Sequence, residues 1–408
     1  MGGGLAGLYA GWLLKRRGDQ VILLEAGDRL GGRVWSDRLA DGTVVERGGE
    51  FIGVGDSGIR VLANELGLTL IPHGFDFSIR KYPNEDSTPN IMELRGSASR
   101  IGDVIARHIA ASSQDDIPLA GVLDHVGSDR TTSYVLEQLE TTLTVPLAGV
   151  SARWFHRYIS EWPRYGEAFR IAGGNEELVR ALASDLQGNI ATQRTVKSVA
   201  HSKSGVEVGV EGHEPLIGDA IIVAVPLPLL WRIEFDPGLP NGLYAELSRF
   251  VIGDAAKLHV GLRDRDDAQA IQVPGDRWWS WTSLANRNGR SGTMAVSAFA
   301  GGEAVIRRLE VSSGSDMWRQ ALERLCPGFA MTQETLLTQW SAQPWIGGSY
   351  CAPAAGWSPR SEKILARPVD RLVLAGEYTA GAHMRSMAGA LESALRAVTD
   401  VVELKSAP

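Results

Sequence analysis

Three glycines at the start of the chain are spaced as in a phosphate-binding turn. Gly2, Gly4 and Gly7 form the pattern G-x-G-x-x-G, and Glu25 follows roughly 20 residues later, as such turns require. Glycines at these places let the backbone approach a pyrophosphate at a helix N-terminus, and the later acid accepts hydrogen bonds from ribose hydroxyls. The chemistry that this spacing predicts is the binding of a dinucleotide.

A helix and a buried strand must follow these glycines, and both are predicted. Apolar residues recur at helical spacing over residues 5–13, and Gly18 lies where a C-terminal cap belongs. Residues 21–24 are a continuous apolar run, typical of a strand buried on both faces of a parallel sheet. Only Met1 precedes the glycines, where a strand should stand. Either the start of the chain was assigned too late, which we favour, or another segment fills that place.

Buried strands and further helices are predicted along the rest of the chain. Residues 220–226 and 371–375 are apolar runs that indicate buried strands. Residues 255–263 alternate, so that Lys257 falls on the strand face opposite the apolar residues. Asn175 is a good N-cap, because its side chain can accept a hydrogen bond from the first turn of a helix.

Composition narrows the class of protein. A length of 408 residues predicts two domains. The net charge of −7 disfavours nucleic acid and anionic membranes as partners. Cys326 and Cys351 are too few for a disulfide framework and fit a reducing compartment. No apolar run reaches the ~20 residues needed to cross a bilayer, and the histidines lack metal-ligand spacing. We therefore expect a cytoplasmic protein without membrane, nucleic-acid or metal partners.

Further motifs follow the glycine fingerprint (Gly2, Gly4 and Gly7) at widely separated places. Its direct extension is D-R-x-G-G-R, with Arg29, Gly31, Gly32 and Arg33. The others are G-G-E-F-I-G with Gly49, Glu50 and Phe51, T-V-K-S-V with Val196, A-V-P at residues 224–226, and L-A-G-E-Y-T with Gly376 and Glu377, followed by a helix that opens at Met387.

These motifs resemble those of the FAD-dependent amine oxidase family, which includes monoamine, polyamine and hydroxynicotine oxidases. The resemblance implies an α/β fold, in which a Rossmann-like FAD-binding domain with a truncated first strand is interleaved with a mixed-sheet and helical substrate domain. Residues 1–72, 167–247 and 346–408 are expected to form the FAD-binding domain. Residues 73–166 and 248–345 are expected to form the substrate-binding domain.

The resemblance also implies an activity. The family oxidises an amine C–N bond to an imine by hydride transfer to flavin N5, and O2 is reduced to H2O2. We therefore expect FAD as the cofactor, a small-molecule amine as the substrate and O2 as the acceptor. By resemblance, Arg29 and Arg33 hold the flavin pyrophosphate, and the backbone of Val196 meets the adenine. The FAD is expected to be non-covalent, because Ser349 stands where some members carry the cysteine that bonds the flavin.

Residues near the expected flavin ring are also assigned by resemblance. Lys257 matches the lysine that holds a water against flavin N5 and promotes reaction with oxygen, and Tyr350 matches one aromatic wall of the substrate cage. Ser386 stands where the second wall is usually found, so a half-open cage and a bulkier amine are expected. Trp345, Ser386 and Phe51 are expected to line the substrate cavity. Arg385 could pair with an acidic group on the substrate, but an exposed arginine is favoured.

The helix that opens at Met387 has a role that follows from electrostatics. A helix N-terminus carries roughly half a positive charge, and reduced flavin develops anionic character around N1 and the C2 carbonyl. Backbone N–H groups near Met387 are therefore expected to stabilise the reduced state.

Several alternatives stay open. By pattern alone Lys257 could be a solvated strand lysine, and Tyr350 a packed core tyrosine. A desaturase acting on C–C bonds shares the fold. An L-amino-acid oxidase is disfavoured, because Phe51 occupies the place of its carboxylate-binding arginine. An NAD-dependent dehydrogenase shares the glycine fingerprint but not the D-R-x-G-G-R extension or the C-terminal G-E-Y-T helix. A non-catalytic binding protein with a flavoprotein fold is a further possibility. Residues 278–281 (W-W-S-W) are interpreted as core or cavity lining.

Overall fold

The computed structural model describes residues 1–83, 87–162, 166–263, 265, 267–273, 275–287 and 293–406. Its α-helices are α1 (Leu5–Arg16), α2 (Ser57–Glu65), α3 (Ile91–Ala111), α4 (Ala120–Leu123), α5 (Arg130–Leu143), α6 (Ala152–Ser160), α7 (Glu176–Asp185), α8 (Leu227–Leu230), α9 (Asn241–Leu247), α10 (Glu303–Arg308), α11 (Asp316–Leu325), α12 (Pro359–Ala366) and α13 (Met387–Ser406). Its strands are β1 (Leu23–Leu24), β2 (Ser36–Arg38), β3 (Val44–Glu46), β4 (Leu70–Asp76), β5 (Glu167–Ile171), β6 (Ile190–Ala191), β7 (Val196–His201), β8 (Val206–Val210), β9 (Leu216–Gly218), β10 (Ile221–Val223), β11 (Glu234–Asp236), β12 (Phe250–Ile252), β13 (Ala255–Arg263), β14 (Gln269–Val273), β15 (Trp278–Thr282), β16 (Thr293–Gly301), β17 (Ala330–Gln339), β18 (Cys351–Pro353) and β19 (Leu372–Leu374).

The backbone of Met1 and Gly2 joins two pairs of short parallel strands. Strand β1 pairs with β6, and β10 pairs with β19. On one side the Gly2 nitrogen donates to the Leu24 carbonyl oxygen at 2.7 Å. On the other side the Met1 nitrogen donates to the Ile222 carbonyl at 2.7 Å, and the Ala224 nitrogen donates to the Met1 carbonyl at 2.9 Å. The backbone of Met1 thus stands where the strand before the glycines was expected, and the two pairs form one layer.

Helices α1 and α13 pack on this layer through small side chains. Ala6 and Ala10 of α1 and Ala394 and Ala397 of α13 are buried in one apolar cluster with residues of β19. Short side chains let both helices approach the strands closely, which brings the N-termini of both helices to the same side of the layer. No helix within the described ranges combines the length and the apolar character that a membrane crossing needs.

A second sheet lies in the other part of the chain. Its five strands are antiparallel and follow the order β14-β15-β16-β13-β17. Strand β13 is buried along its whole length except at Arg263, because helices and the loop after β3 cover its faces. A cluster of apolar residues from α3, α5 and α6 forms a separate core beside this sheet. The chain therefore has the mixed α/β architecture of the FAD-binding fold that the sequence predicts.

Asn175 takes the predicted N-cap position, but its side chain does not cap α7. Its Oδ1 accepts a hydrogen bond from the Ile171 nitrogen at 2.9 Å. Its Nδ2 donates to the carbonyl oxygens of Gly49 at 3.0 Å and Glu50 at 2.8 Å. The prediction of its capping role is wrong, because Oδ1, the atom that would cap the helix, is taken by the Ile171 nitrogen. The buried amide instead ties that loop to β5.

Asn175→Ala should therefore lower the stability of the whole protein. The change leaves two buried carbonyls and one buried N–H without this partner, which should reduce the free energy of unfolding by about 3 kcal/mol. Urea unfolding monitored by tryptophan fluorescence measures the difference. Asn64 is exposed in α2, so Asn64→Ala is the control and should stay within about 0.5 kcal/mol. Equal stability of the two variants would contradict the role given to Asn175.

Candidate active site

A cavity of about 580 Å³ runs from the glycine-rich turn before α1 to strand β13. Among the predicted site residues, only Gly7 lies outside its lining. The predicted residues that line it are Gly2, Gly4, Glu25, Arg29, Gly31, Gly32, Arg33, Gly49, Glu50, Phe51, Val196, Lys257, Trp345, Tyr350, Gly376, Glu377, Ser386 and Met387.

The three fingerprint glycines do different things. A Cβ on Gly7 would lie 1.9 Å from the Gly2 carbonyl oxygen, so Gly7 is required by the turn itself. Gly2 has φ +96°, and a Cβ there would meet the Ala224 carbonyl at 2.5 Å. A Cβ on Gly4 would meet nothing within 4 Å, although Gly4 precedes the first turn of α1. Gly4 therefore leaves open a space at a helix N-terminus, which suits a phosphate group.

Glu25 and Val196 lie at this same end of the cavity. The Glu25 carboxylate accepts from the Gly3 nitrogen at 2.6 Å and from the Gly27 nitrogen at 2.7 Å. Each oxygen keeps a lone pair for a further donor such as a ribose hydroxyl. The chain before Val196 pairs with this turn, because the Arg194 nitrogen donates to the Glu25 carbonyl at 2.8 Å.

Trp345 lies beside the nucleotide turn. A Cβ on Gly27 would meet the Trp345 indole at 3.2 Å, and Trp345 is 37% exposed. Trp345 and Tyr350 line the same continuous cavity, so the expectation that Trp345 lines the substrate part of it stays a prediction.

The two arginines of the D-R-x-G-G-R extension hold protein groups together. Arg29 donates to the carbonyl oxygens of its own loop, including Gly32 at 2.6 Å. Arg33 donates to the Ser349 carbonyl and pairs with Glu377 Oε1 at 3.0 Å. Arg33 therefore joins this loop to the C-terminal G-E-Y-T motif, a connection that the sequence alone did not suggest.

Lys257 is buried and fully hydrogen-bonded. Its ammonium donates to the carbonyl oxygens of Glu46 and Gly48, each at 2.9 Å, and to Glu50 Oε2 at 2.6 Å. The other Glu50 oxygen accepts from Trp281 Nε1 at 3.0 Å. With 5% of its surface exposed, Lys257 is not a solvated strand lysine. The ion pair fixes the G-G-E-F loop against β13 at the cavity wall.

Two buried histidines beside this pair are uncharged. Burial first, and then the nearby cations Arg170 and Lys257, hold the pKa of His73 well below its usual range. The same causes, with Arg47 as a further cation, lower the pKa of His259. The positive charge at this wall therefore comes from lysine and arginine, not from histidine.

Aromatic rings, including that of Phe51 in the loop itself, line the part of the cavity beside Lys257, which we call the aromatic chamber. The Phe51 ring lies 4.8 Å from Phe77, 5.7 Å from Trp279 and 5.5 Å from Trp281, measured between ring centroids. Trp279 and Trp281 stack at 4.3 Å, because alternate residues of β15 share a face. The alternation in W-W-S-W was the available signal for this wall, but it did not say which cavity the rings would face.

Ser386 and Arg385 line the cavity near the start of α13. Ser386 Oγ accepts from the Gly389 nitrogen at 2.9 Å, so Ser386 caps α13. The Arg385 guanidinium lies over the Tyr350 ring at 4.8 Å and over Tyr158 at 5.3 Å. The interpretation of Arg385 as exposed is wrong. Tyr158 comes from α6, in a region that carried no readable signature.

The comparison with protein families decides the class. The model for flavin containing amine oxidoreductases matches residues 5–402. The chain belongs to this family. It is a flavin-containing amine oxidase by family, and FAD is its cofactor.

The relatives of this enzyme include a histone demethylase homolog, an amine oxidase and a probable polyamine oxidase. It is 27% identical to lysine-specific histone demethylase 1 homolog 2 of Oryza sativa subsp. japonica, over 98% of this chain and 56% of that protein. The chain thus spans little more than half of that relative. It is 24% identical to human amine oxidase (flavin-containing) B, over 98% of this chain and 85% of that protein. It is 23% identical to probable polyamine oxidase 4 of Arabidopsis thaliana, over 96% and 84%.

Solved structures share the fold of this family enzyme. Cyclohexylamine oxidase from Brevibacterium oxydans superposes with a TM-score of 0.84 at 21% identity, over 100% of this chain and 98% of that chain. Putrescine oxidase bound to putrescine superposes with a TM-score of 0.81 at 20% identity, over 98% of each chain. At this level of identity the similarity concerns the fold.

The residues present fit FAD. The open space at Gly4 suits the pyrophosphate, Glu25 suits a ribose, and the loop at Gly49 reaches the helix that starts at Met387. A Cβ on Gly49 would lie 2.9 Å from the Met387 sulfur, so loop and helix touch at the cavity. FAD would therefore lie between the fingerprint and the wall formed by Lys257 and Glu50.

Gly4→Asn should separate cofactor binding from folding. Asparagine is a better N-cap than most residues and should preserve α1, but its side chain fills the space before the helix. FAD affinity should fall about 10- to 100-fold, the range for added bulk in a packed site. The flavin-to-protein ratio and the melting temperature measure the two effects.

Gly7→Ala and Gly242→Asn are the two controls for this result. Gly7→Ala should lower the melting temperature, because its Cβ collides with the Gly2 carbonyl. Gly242→Asn places the same side chain at an exposed site with open space and should bind FAD normally. Full flavin content in Gly4→Asn would show that Gly4 does not face the cofactor.

Proposed function

We propose that this enzyme oxidises a small-molecule amine to an imine with O2 as the electron acceptor, and that H2O2 is released. When bound, FAD would supply the redox chemistry, as acceptor of the hydride and source of two electrons for O2. One amine and one O2 are consumed for each imine and H2O2 formed. The observation that carries the proposal is the continuity of one cavity from the nucleotide turn to an aromatic chamber with Lys257 in its wall.

The aromatic rings would bind the amine and favour its neutral form. Phe51, Trp279 and Tyr350 line the chamber, and their ring faces attract an amine while excluding water. A desolvated amine loses its proton more readily, because burial disfavours the charged form. The neutral amine keeps a lone pair on nitrogen, which assists departure of the α-hydrogen as hydride.

The N-terminus of α13 would provide the electrostatic support. Ser386 and Met387 border the cavity where α13 begins. The unpaired N–H groups of the first helical turn point outward and carry partial positive charge. They would stabilise negative charge that develops in the chamber during oxidation of the amine.

Non-covalent attachment of FAD is part of the proposal. Ser349 is 3% exposed, and its hydroxyl bonds with Thr144 Oγ1 at 2.8 Å. Burial, reinforced by Glu377, raises the pKa of the Cys351 thiol well above its usual range. The thiolate that would attack a flavin is therefore disfavoured.

Acid precipitation of the purified protein should release all yellow colour into the supernatant, and a coloured pellet would refute non-covalent binding.

The central test is an absorption spectrum followed by anaerobic addition of amines. Bound FAD should give an absorption band at about 450 nm that bleaches when an amine is oxidised. On readmission of air, O2 uptake and H2O2 release should occur in equal amounts. A flavin band that persists with every amine would favour a desaturase acting on C–C bonds. A folded, colourless protein that takes up no added FAD would favour a binding protein.

We propose that Lys257 promotes reoxidation, and its pairing with Glu50 dictates how to test this. Lys257→Met alone leaves a buried carboxylate unpaired, which costs about 3–5 kcal/mol. The double variant Lys257→Met/Glu50→Gln removes both charges, and glutamine can still accept from Trp281. In the double variant, the rate of flavin reoxidation by O2 should fall about 100-fold, a magnitude typical for loss of one electrostatic group.

Glu50→Gln alone is the matched control for this variant. It removes the carboxylate beside Lys257, but the Glu46 and Gly48 carbonyl oxygens still accept from the ammonium, so this variant should reoxidise faster than the double variant. Stopped-flow mixing of reduced enzyme with oxygenated buffer measures all three proteins. Equal reoxidation rates in the double variant and the unaltered enzyme would remove Lys257 from this role.

A further inference from the structure

Arg385 has a backbone conformation that arginine rarely adopts. Its φ of +72° lies in the left-handed region, which is strained for a residue that carries a side chain. The backbone is held there because the Arg385 nitrogen donates to Glu377 Oε2 at 2.9 Å. Strain of this kind persists where the surroundings impose it, and it clusters at functional sites.

The side chain of Arg385 points into the aromatic chamber. Its guanidinium carbon lies 4.8 Å from the Tyr350 ring centroid, 5.3 Å from Tyr158 and 5.9 Å from Trp154. Nη2 donates to the Thr142 carbonyl at 2.8 Å. Nε is buried, and no hydrogen-bond acceptor reaches it in the part of the chain that the structure describes.

This cation has no carboxylate of its own. Glu377, the acid beside it, accepts from Arg33 with one oxygen and from the Arg385 backbone with the other. Glu50 is occupied by Lys257 and Trp281. Among the described residues, no ion pair joins the Arg385 guanidinium to an acid. Arg385 is half-buried, and partial loss of water from a charge without a counter-ion is still costly, so the site is electrostatically incomplete.

The cation nevertheless keeps its charge. Burial lowers the pKa of Arg385, but Tyr158, Tyr350 and the Glu377 carboxylate together outweigh it, and the pKa is raised. A planar guanidinium offers several N–H donors in a fork that matches a carboxylate. Its single positive charge balances one negative charge, so a carboxylate fits better than a dianionic phosphate.

We infer that Arg385 binds a carboxylate of the amine substrate. The substrates are then amines that carry one carboxylate, rather than diamines or polyamines. This inference rests on the proposed amine oxidation and adds the chemical class of the amine. An ammonium group at the same place would be repelled by the guanidinium, and no uncommitted acid among the described lining residues near Arg385 would hold it.

Binding of benzoate to the oxidised holoenzyme tests the site without turnover. Benzoate should perturb the flavin spectrum and release heat in calorimetry. Arg385→Gly should weaken its Kd about 10- to 100-fold, the range for loss of a charge-assisted bidentate contact. Glycine suits a positive φ, so this variant should not fail through backbone strain. Arg385→Lys keeps the charge but loses the fork, and should give an intermediate Kd.

Arg157→Met is the matched control for benzoate binding. Arg157 precedes Tyr158 in α6 but pairs with Glu362 and does not line the cavity. Its variant should bind benzoate as the unaltered enzyme does. If benzoate does not bind, or if Arg385→Gly binds it equally well, the inference is overturned.

Turnover of paired substrates completes the test. Each pair shares a skeleton and differs in the carboxylate: 4-(aminomethyl)benzoate with benzylamine, 6-aminohexanoate with hexylamine, and phenylalanine with phenethylamine. In at least one pair the carboxylate member should have about a 100-fold higher kcat/KM. Arg385→Gly should remove that preference, so that the two members of the pair have similar kcat/KM values. The diamine 1,6-diaminohexane should be poorer than hexylamine.

The outcomes separate this inference from the proposed function. Flavin bleaching by neutral amines and diamines, with no preference for any carboxylate, would overturn the inference and leave amine oxidation standing. Benzoate binding that depends on Arg385, without bleaching by any amine, would support the carboxylate site and refute amine oxidation.

Discussion

The buried ammonium of Lys257 is the contact on which the site depends. It takes three acceptors, Glu46, Gly48 and Glu50, from one short loop. That loop approaches the start of α13 through Gly49, whereas Lys257 belongs to the antiparallel sheet of the other part of the chain. The two parts are therefore coupled at the cavity wall. Because a buried charge is costly without partners, the loop has little freedom to leave this place.

Around this contact, other charged and polar groups of the site are also committed to the protein. Arg33 bridges the D-R-x-G-G-R loop to Glu377 and Ser349, and Asn175 holds the Glu50 carbonyl from the opposite side. Such cross-links fix backbone groups around the expected position of the flavin. Preorganised groups of this kind need no rearrangement during the reaction. Arg385 is the exception at the chamber, since its guanidinium lacks an acid among the described residues.

The nucleotide half of the site could be predicted from sequence because its requirements are local. Gly7 must be glycine to let the turn close, and the apolar run ending at Glu25 places that acid beside the turn. The chamber could not be predicted in the same way. Tyr158, Trp279 and Arg385 meet there from three distant segments, and whether an arginine is exposed depends on what packs against it. Asn175 shows the same limit, since its choice of partner was decided by a loop more than a hundred residues away. The division into domains and the roles of individual site residues stay predictions.

The left-handed backbone at position 385 affects how readily evolution can replace the arginine there, and with it the substrate preference. A lineage that abandons the guanidinium in favour of glycine relaxes its main chain at the same time. Folding stability therefore favours replacement of this arginine by glycine. Arginine is retained only while selection maintains the function of its side chain. Enzymes of one fold could in this way exchange their amine repertoires through a single position, with the cofactor-binding framework untouched.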